Sequence, residues 1–375
     1  MSLWACGSNA HGQLASGCKE DAHVPVRCLF ASSSSSPSPL LNDYPIAIAG
    51  GANHTVFATT AGSVYSAGHN AAGQLGLPNV DLDHTAFTQV ATDFLPAAVD
   101  VACGWDHTVV LTRTGTVWVF GSNSHGQLGI PSVTPHTSTP TLVAGLKDVN
   151  TIACGLRSTI AVTSSGAVYA WGSNRHGELI ASGPAIIATL TLVTDLPAPV
   201  QSVACGFSHV VYVMADGRVE TRGRNRHGQL CGAGLTVSDA PAAACFSGWS
   251  FSGLVDDEKG SVYTWGRNDH GQLAHGGTAA AVTVGAPALS SLPPMRQIAC
   301  GSEHALGVTA DGSACFAWGW NEHGNCGVGH TDDVLVPQKV VLDQDRDKQQ
   351  SGTGQEVMVV GCGYGHSVLY ICDRF

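Results

Sequence analysis

The feature that most constrains the fold is a short motif that recurs seven times along the 375-residue chain. Each copy is an apolar strand followed by a turn of the form G-x-N-x-x-G-Q-L, as in VWVFGSNSHGQLG, which begins at Val117. The copies follow one another at intervals of 43 to 61 residues, with first glycines at Gly7, Gly68, Gly121, Gly172, Gly223, Gly266 and Gly319. An internal period of this length is typical of a fold built from one repeated unit.

A second motif alternates with the first and consists of a few apolar residues followed by C-G-x-x-H. Copies end at His54, His107, His209, His304 and His366, the first with Gly in place of Cys. One further copy carries Ser158 in place of the histidine, and a distorted copy surrounds Trp249. The second motif therefore also occurs seven times.

The two motifs divide each period into four short strands, A to D, as in VDVACG, HTVVLT, TVWVFG and TPTLV. Four antiparallel strands repeated seven times predict an all-β, seven-bladed β-propeller. Helical repeats are excluded because no segment sustains a 3.6-residue period. We expect residues 1–375 to form a single propeller domain.

The two ends of the chain predict how the ring closes. The chain begins within a strand C at Leu3–Gly7, followed by a strand D near Val24–Leu29, and it ends with strands A and B at Val357–Cys362 and His366–Cys372. We therefore expect the last blade to combine both termini, which leaves no open edge. Polar insertions near 31–43 and 344–355 predict mobile D–A loops on the face opposite the motif turns.

Charge and cysteine usage narrow the class of protein. The formal net charge of -11 argues against a nucleic-acid or acidic-membrane partner. The first residues already read as a strand, so we expect no signal peptide, and no apolar run has the length of a membrane span. Most of the 13 cysteines fall at one repeated position, which predicts reduced thiols and a cytoplasmic, also nuclear, protein.

The repeated cysteines and histidines are expected to be structural. No two motif cysteines have C-x-x-C spacing, so we predict small buried side chains near the axis and no metal. We expect the histidines of C-G-x-x-H to hydrogen-bond within their own turns. Those of G-x-N-x-H-G should be half-exposed turn residues: His11, His125, His176, His227, His270 and His323. Channel positions are Gly, Ala and Cys, which predicts no catalytic group, no cofactor and no enzyme activity.

Departures from the repeat indicate where a partner binds. Because strands alternate in direction, the A–B and C–D turns share one face, here called the motif face. Its variable positions hold tryptophans, acidic residues and a run of arginines preceded by Arg222. Exposed tryptophan and clustered arginine are typical of protein interfaces, although packing over a blade and simple solvation explain them too. We predict partner binding by Trp105, Asp106, Arg175, Arg224, Arg226, Trp249, Arg267, Glu303, Trp320, Glu322 and His323.

At these motifs the chain resembles the regulator-of-chromosome-condensation repeat family over essentially its whole length. Kelch and WD propellers fit less well, since the Gly-Gly doublet occurs in one motif copy and Trp105–Asp106 lies in a loop. The strings ACFAWGWNEHGNCG and VVGCGYGHSVLYIC are similar to one branch of that family. The branch contains the fungal alpha-tubulin suppressor, or killer-toxin-insensitivity protein, and the animal secretion-regulating guanine nucleotide exchange factor.

The resemblance implies a scaffold without chemistry of its own. Its partner would be a small acidic CSL-zinc-finger protein acting in diphthamide synthesis and in Elongator-dependent modification of tRNA wobble uridines. We expect a monomer or a heterodimer, without direct contact to membrane or nucleic acid.

Three other functions known for this fold remain as alternatives. An exchange factor or regulator for a small GTPase would need a protruding wedge, and the turns are uniform in length. A chromatin binder would need a basic tail. Photoreceptors of this fold need tryptophans in consecutive turns, where this chain has Leu156, Phe207, Trp249, Ser302 and Tyr364 after Trp105.

Overall fold

The computed structural model describes residues 2–31, 43–91, 96–131, 134–231, 235–236, 243–256, 259–279, 292–341 and 355–373. Every regular element in these ranges is a β-strand, and the strands form seven antiparallel sheets, the blades of one propeller. The expectation of an all-β, seven-bladed propeller is confirmed. Within the same ranges, no helix has the length and hydropathy needed to cross a membrane.

The strands follow the order A to D around the ring. The chain starts with β1 (Ser2–Gly7) and β2 (Ala22–Arg27). Blade 1 consists of β3 (Pro45–Gly50), β4 (His54–Thr59), β5 (Val64–Gly68) and β6 (His84–Gln89). Blade 2 consists of β7 (Ala98–Cys103), β8 (His107–Thr112), β9 (Val117–Ser122) and β10 (His136–Leu142). Blade 3 consists of β11 (Val149–Cys154), β12 (Ser158–Thr163), β13 (Val168–Ser173) and β14 (Ile186–Val193).

The second half of the ring repeats this order. Blade 4 consists of β15 (Val200–Cys205), β16 (His209–Met214), β17 (Arg218–Gly223) and β18 (Leu235–Thr236). Blade 5 contains β19 (Ala243–Ser247), β20 (Phe251–Asp256) and β21 (Val262–Gly266). Blade 6 consists of β22 (Met295–Cys300), β23 (His304–Thr309), β24 (Cys315–Gly319) and β25 (Val334–Lys339). The chain ends with β26 (Gln355–Cys362) and β27 (His366–Asp373). Blade 5 shows three strands among the described residues.

Blade 7 closes the ring as expected. Its strand order is β2-β1-β27-β26, so two strands come from each terminus. The N-terminal strand pairs with the C-terminal one along its whole length, from Ser2 opposite Ile371 to Gly7 opposite His366. The outer strand β2 lies slightly earlier than predicted. The two predicted insertions fall mainly on residues 32–42 and 342–354, which lie outside the described residues.

The core lies between neighbouring blades. Strand B is buried throughout in blades 1 to 6, whereas strand D is partly exposed at the rim. Tryptophans of strand C fill three blade junctions, and each indole Nε1 donates a hydrogen bond of 2.9–3.0 Å to a glutamine carbonyl of the preceding blade: Trp171 to Gln127, Trp265 to Gln229 and Trp318 to Gln272. Blades are therefore held both by apolar burial and by directed hydrogen bonds.

The first glycine of each G-x-N motif brings the two motif turns of a blade together. Its φ lies between +102° and +111° in all seven copies, a conformation that L-residues rarely adopt. A Cβ on Gly121 would also lie 2.5 Å from the carbonyl oxygen of Asp106. This close approach lets the Ser122 amide donate to the Asp106 carbonyl at 2.8 Å. The A–B and C–D turns therefore share one face, as predicted.

Candidate partner-binding face

The A–B turns form a hydrogen-bonded ring around the central channel. At six of the seven blade junctions, a backbone amide of one turn donates to a carbonyl of the next. Examples are Trp105 to Leu156 at 2.9 Å, Trp249 to Ser302 at 2.7 Å and, across the closure, Tyr364 to Gly51 at 3.0 Å. A partner would therefore meet a rigid platform at the centre of the motif face.

The motif histidines connect neighbouring blades, so the expectation that they bond within their own turns is wrong. Their Nε2 atoms lie 2.8–3.1 Å from a hydroxyl at the start of strand B in the next blade: His54–Thr108, His107–Thr159, His209–Ser252, His304–Ser367 and His366–Thr55. Each hydroxyl also donates to a carbonyl in the preceding blade. The side chain is free to reach across because the backbone alone closes its own turn, as when the Gly104 amide donates to the His107 carbonyl.

Two blade junctions lack this histidine, and both partners change together. Between blades 3 and 4, Ser158 replaces the histidine and Val210 stands where the hydroxyl would be. Between blades 5 and 6, Phe251 and Ala305 take the two positions. Loss of the donor is therefore matched by loss of the acceptor, so no buried hydroxyl is left without its histidine at either junction.

Burial keeps these histidines neutral. Because each hydroxyl donates to a carbonyl, Nε2 must carry the proton, and Nδ1 is buried without a hydrogen-bond partner among the described residues. Burial consequently lowers the pKa of His107, His209 and His304 to about 4, and that of His54 and His366 to about 3. These groups are structural links rather than exposed binding residues.

The motif cysteines lie on the axis, as predicted. Cys103, Cys154, Cys205, Cys300 and Cys362 line a central cavity of about 200 Å³ together with the motif glycines. The first four are partly exposed to this cavity. Burial raises the pKa of Cys103 and Cys362 to about 12, so both thiols stay protonated. A protonated thiol is a poor nucleophile and a poor metal ligand.

An aromatic cluster covers the mouth of this channel. The rings of Trp105 and Trp249 stack with centroids 6.1 Å apart, and Tyr364 contacts them at 5.4 and 5.1 Å. Trp105 remains 38% exposed, whereas Trp249 is half-buried. Two of the three predicted tryptophan anchors therefore form one surface, here called the channel mouth (Trp105, Trp249 and Tyr364).

Trp320, the third predicted anchor, lies apart from the channel mouth. It is half-buried, and its ring meets His323 edge to face at 5.5 Å. His323 Nδ1 in turn contacts Asp21 Oδ2 of blade 7 at 2.8 Å. Trp320 and His323 therefore pack over the junction between blades 6 and 7.

Next to the channel mouth lies a basic groove over blades 3 to 5, formed by two adjoining cavities of about 210 and 260 Å³. Both cavities are lined by Phe207, Ser208 and Arg224. We call this surface the arginine groove, after Arg157, Arg175, Arg224 and Arg226. Its aromatic residues are Phe207 and Trp249, and Arg267, Glu178 and Glu303 line it as well. Trp249 belongs to both surfaces, so the groove continues into the channel mouth.

The predicted arginines differ in whether their charge is available. Among the described residues, no carboxylate forms an ion pair with the four arginines that name the groove. Arg267, by contrast, contacts Asp269 at 2.5 Å and Glu303 at 3.2 Å. Arg222 is buried against Asp195 at 2.7 Å. Arg222 and Arg267 are therefore neutralised by their carboxylate partners and are not available to a binding partner. Arg157 is available, and the sequence analysis missed it although it occupies a variable position of an A–B turn.

Titrating groups beside the groove reflect its positive field. Partial burial lowers the pKa of His125, and Arg157 and Arg175 lower it further. The pKa of His227 is also lowered, first by partial burial and then by the charges of Arg267 and Arg226. Both histidines therefore stay neutral near pH 7, and the positive charge of the groove belongs to the guanidinium groups.

The predicted acidic residues do not form one exposed sector. Glu303 is buried against Arg267 and Gln272, and burial raises its pKa. Asp106 is half-buried, and burial raises its pKa although Arg157 opposes the shift. Glu322 is the one of the three that is exposed. The acidic side chains therefore contribute mainly to the structure of the turns.

Comparison with known proteins agrees with the repeat pattern and the fold. The family model of the RCC1-like domain matches residues 2–369. Secretion-regulating guanine nucleotide exchange factors from Bos taurus and Mus musculus are 34% and 32% identical, covering 99% of this chain and 83% of each relative. The structure of Prp20p from Saccharomyces cerevisiae, described with its binding properties to Gsp1p and histones, superposes with a TM-score of 0.83 at 20% identity, covering 98% of this chain and 90% of that one. The protein therefore belongs to the RCC1-like domain family.

Proposed function

We propose that this propeller is a non-catalytic binding platform that docks an acidic protein in the arginine groove and anchors it at the channel mouth. The observation that carries the proposal is a set of four guanidinium groups beside an aromatic-lined groove, none of them paired with a carboxylate in the part of the chain that the structure describes. Their clustering is unusual because the chain as a whole has a net charge of -11. Left unneutralised, they create a local field that attracts acidic groups.

The chemistry of the groove favours a protein partner that carries carboxylates. Arginine binds carboxylates through paired hydrogen bonds, and its planar group suits flat aromatic surroundings. Phe207, Trp249 and Trp105 supply apolar area of the kind that dominates protein interfaces. The hydrogen-bonded ring of A–B turns holds these groups in place before binding, which reduces the entropy lost on association.

For the identity of the partner, we propose the small acidic CSL-zinc-finger protein, in line with the resemblance of the last repeats. The propeller would then support diphthamide synthesis and Elongator-dependent tRNA modification as a regulatory subunit. The channel thiols support a role without chemistry, because their raised pKa values leave them protonated.

A second candidate function is regulation of a small GTPase. It is favoured by the relatives at 32% and 34% identity, which are named as secretion-regulating guanine nucleotide exchange factors. An acidic surface of a GTPase would fit the same groove. The two candidates therefore share a docking surface and differ in the partner and in whether nucleotide release follows.

The binding test reverses charge on one face at a time. Arg224→Glu with Arg226→Glu alters the groove. Arg113→Glu, in a B–C turn, with Arg218→Glu, at the start of β17, makes the same change in net charge on the opposite face. Binding of the CSL-zinc-finger protein is measured by stopped flow at two ionic strengths. We expect the groove variant to associate at least about tenfold more slowly and to lose most of its salt dependence. If both double variants associate like the wild-type protein, the proposed docking surface is wrong.

A second experiment separates the two candidate functions. Release of a fluorescent nucleotide from small GTPases is followed with the wild-type propeller and with the groove variant. Acceleration by the wild-type protein alone supports GTPase regulation, and no acceleration of any GTPase supports the scaffold. A short RNA serves as the third ligand, and tight RNA binding that weakens steeply with salt and is lost in the groove variant would contradict both candidates.

A further inference from the structure

A cluster of two histidines and one aspartate lies where blade 7 meets blade 1. Asp83 Oδ1 is 2.8 Å from His69 Nδ1, and Asp83 Oδ2 is 3.2 Å from His11 Nδ1. The two imidazole rings are 4.3 Å apart, and one ligand atom from each of the three residues lies within 4.8 Å of the others. Asp83 is mostly buried, whereas each histidine keeps about one third of its side chain exposed.

The cluster arises from a departure from the repeat at one position. At two other junctions, a motif histidine also meets an aspartate of the next blade: His270–Asp333 at 2.7 Å and His323–Asp21 at 2.8 Å. The residue after the first motif glycine is Trp320 in the first of these receiving blades and Ser8 in the second. In blade 1 that residue is His69. A histidine–aspartate pair that recurs in the ring therefore gains a third donor only here.

We propose that His11, His69 and Asp83 bind a zinc ion at the junction of blades 7 and 1. Imidazole nitrogen and carboxylate oxygen are donors that zinc prefers, and three protein ligands leave the fourth tetrahedral position to water. With metal–ligand bonds of 2.0–2.1 Å, the edges of such a tetrahedron measure about 3.3 Å. Each histidine nitrogen is already close to that spacing from one carboxylate oxygen, at 3.2 Å from Oδ2 for His11 and 2.8 Å from Oδ1 for His69. The Asp83 carboxylate must rotate for a single oxygen to serve as the third ligand.

Lys19 is the cation that now contacts the cluster, with Nζ 2.5 Å from Asp83 Oδ2. His11, His69 and Lys19 all contact the Asp83 carboxylate, which therefore faces the two imidazole nitrogens that would bind the metal. The Lys19 side chain is about half exposed, so its ion pair with Asp83 contributes little stability. Zinc can therefore displace the lysine at a small cost in free energy.

A zinc ion here would join a turn of the closing blade to a turn of the first blade. His11 follows β1, the strand that closes the ring, whereas His69 and Asp83 lie between β5 and β6. A ligand that binds the folded state alone raises its stability by mass action. The proposed site would therefore reinforce the ring junction next to the strand that closes it, independently of the partner proposed above.

The test is a zinc titration by calorimetry and thermal melting of the full chain. His69→Ser removes one ligand and introduces the residue that blade 7 carries at Ser8, so this variant should fold. His323→Ser is the matched control, since it removes a motif histidine from a junction with a single pair. Cys18→Ser removes an exposed thiol from the neighbouring loop. We expect one zinc per chain and a zinc-dependent rise in Tm for wild type and both controls, and at least about tenfold weaker binding for His69→Ser.

Two further measurements sharpen the result. Lys19→Met removes the competing cation, so zinc affinity should rise. Cobalt substituted for zinc should give a tetrahedral spectrum without the charge-transfer band of a thiolate ligand. Equal zinc binding by wild type and His69→Ser, binding lost with Cys18→Ser, or no binding by the wild-type protein would overturn the proposal.

Discussion

The motif face has two halves that use the same turns in different ways. At the three successive junctions that lead into blades 6, 7 and 1, a histidine of the G-x-N-x-H-G turn contacts an aspartate of the next blade: His270–Asp333, His323–Asp21 and His11–Asp83. Over blades 3 to 5, the motif turns carry the arginine groove, where Arg157, Arg175, Arg224 and Arg226 have no carboxylate partner among the described residues. We call these the sealed half and the open half.

At these three junctions the aspartate lies in the loop just before strand D, where it meets the histidine of the preceding blade and makes the junction part of the scaffold. Before β14 of blade 3 the corresponding residue is Ala185, so no carboxylate from this position neutralises the groove. Of the two junctions that lack the buried histidine, Ser158–Val210 lies within the open half and Phe251–Ala305 lies at its border with the sealed half. The surface proposed to bind a partner therefore lies over the less strongly linked blades.

The largest expected effect comes from cutting the sealed half at its closure. Deletion of residues 361–375 removes β27, which pairs with β1 from Ser2 to Gly7. Without it, β1 and β2 lose their connection to the inner strand of blade 7, and both flanking junctions open. We expect complete loss of the cooperative thermal transition, measured by calorimetry. A truncated chain that keeps a full cooperative transition would show that ring closure does not depend on this blade.

Acid should weaken the sealed half before the open half. The five buried histidines of the C-G-x-x-H motif have a pKa near 6.5 in the unfolded chain but of about 3 or 4 in the folded protein. Below about pH 6.5 the unfolded chain therefore binds more protons than the folded protein does. Stability is therefore full above that value and falls as the pH drops toward 4, by at most about 1.4 kcal/mol per pH unit for each histidine.

Hydrogen exchange can locate this acid effect. The three junctions from blade 6 to blade 2 all contain the buried histidine, whereas two of the four remaining junctions do not. Protection measured at pH 7 and pH 5 should therefore fall more in β4 and β27, which each take part in two histidine links, than in β16 and β20, which share a single link. Equal losses in both halves would contradict the division.

An intermediate effect is expected from converting a histidine junction into one of the apolar kind. Thr159→Val leaves the buried His107 Nε2 without its acceptor, at a cost of about 1–3 kcal/mol in the free energy of unfolding. His107→Ser with Thr159→Val copies the Ser158–Val210 junction and should cost less than the sum of the two single changes. Urea unfolding of all four proteins gives the coupling energy. Additive costs would mean that the two side chains act independently.

Much of the scaffold could be predicted because the repeat states it seven times. Strand order, ring closure at β1 and β27, and the positive φ of Gly121 and its equivalents all follow from the motif pattern. The histidine links were missed because each partner hydroxyl lies in the next blade, 43 to 63 residues away except across the closure. A signal was present, since Ser158 and Phe251 coincide with loss of the hydroxyl at Val210 and Ala305.

The residues proposed to bind a partner were harder to predict. Whether their charge or aromatic surface is free to bind depends on loops that the repeat does not specify. Arg267 and Arg224 look alike in sequence, yet Glu303, 36 residues later, neutralises only the former. Trp105 and Trp249 are separated by three blades, and only the narrow channel brings their rings together. His69 looked like an ordinary turn residue until Asp83 and His11 were placed beside it.

The smallest expected effect separates the two halves by charge alone. Asp21→Asn keeps an oxygen for the amide of Asn9 but loses the charge that faces His323, and both side chains are about one third exposed. Exposed pairs contribute little, so we expect a loss of at most about 1 kcal/mol at low salt and less at high salt. Arg175→Gln in the open half removes a charge that has no ion-pair partner among the described residues, so its urea midpoint should match that of the wild-type protein at both salt concentrations. If Arg175→Gln destabilises the protein as much as Asp21→Asn does, the arginines are part of the scaffold, and the open half is not reserved for a partner.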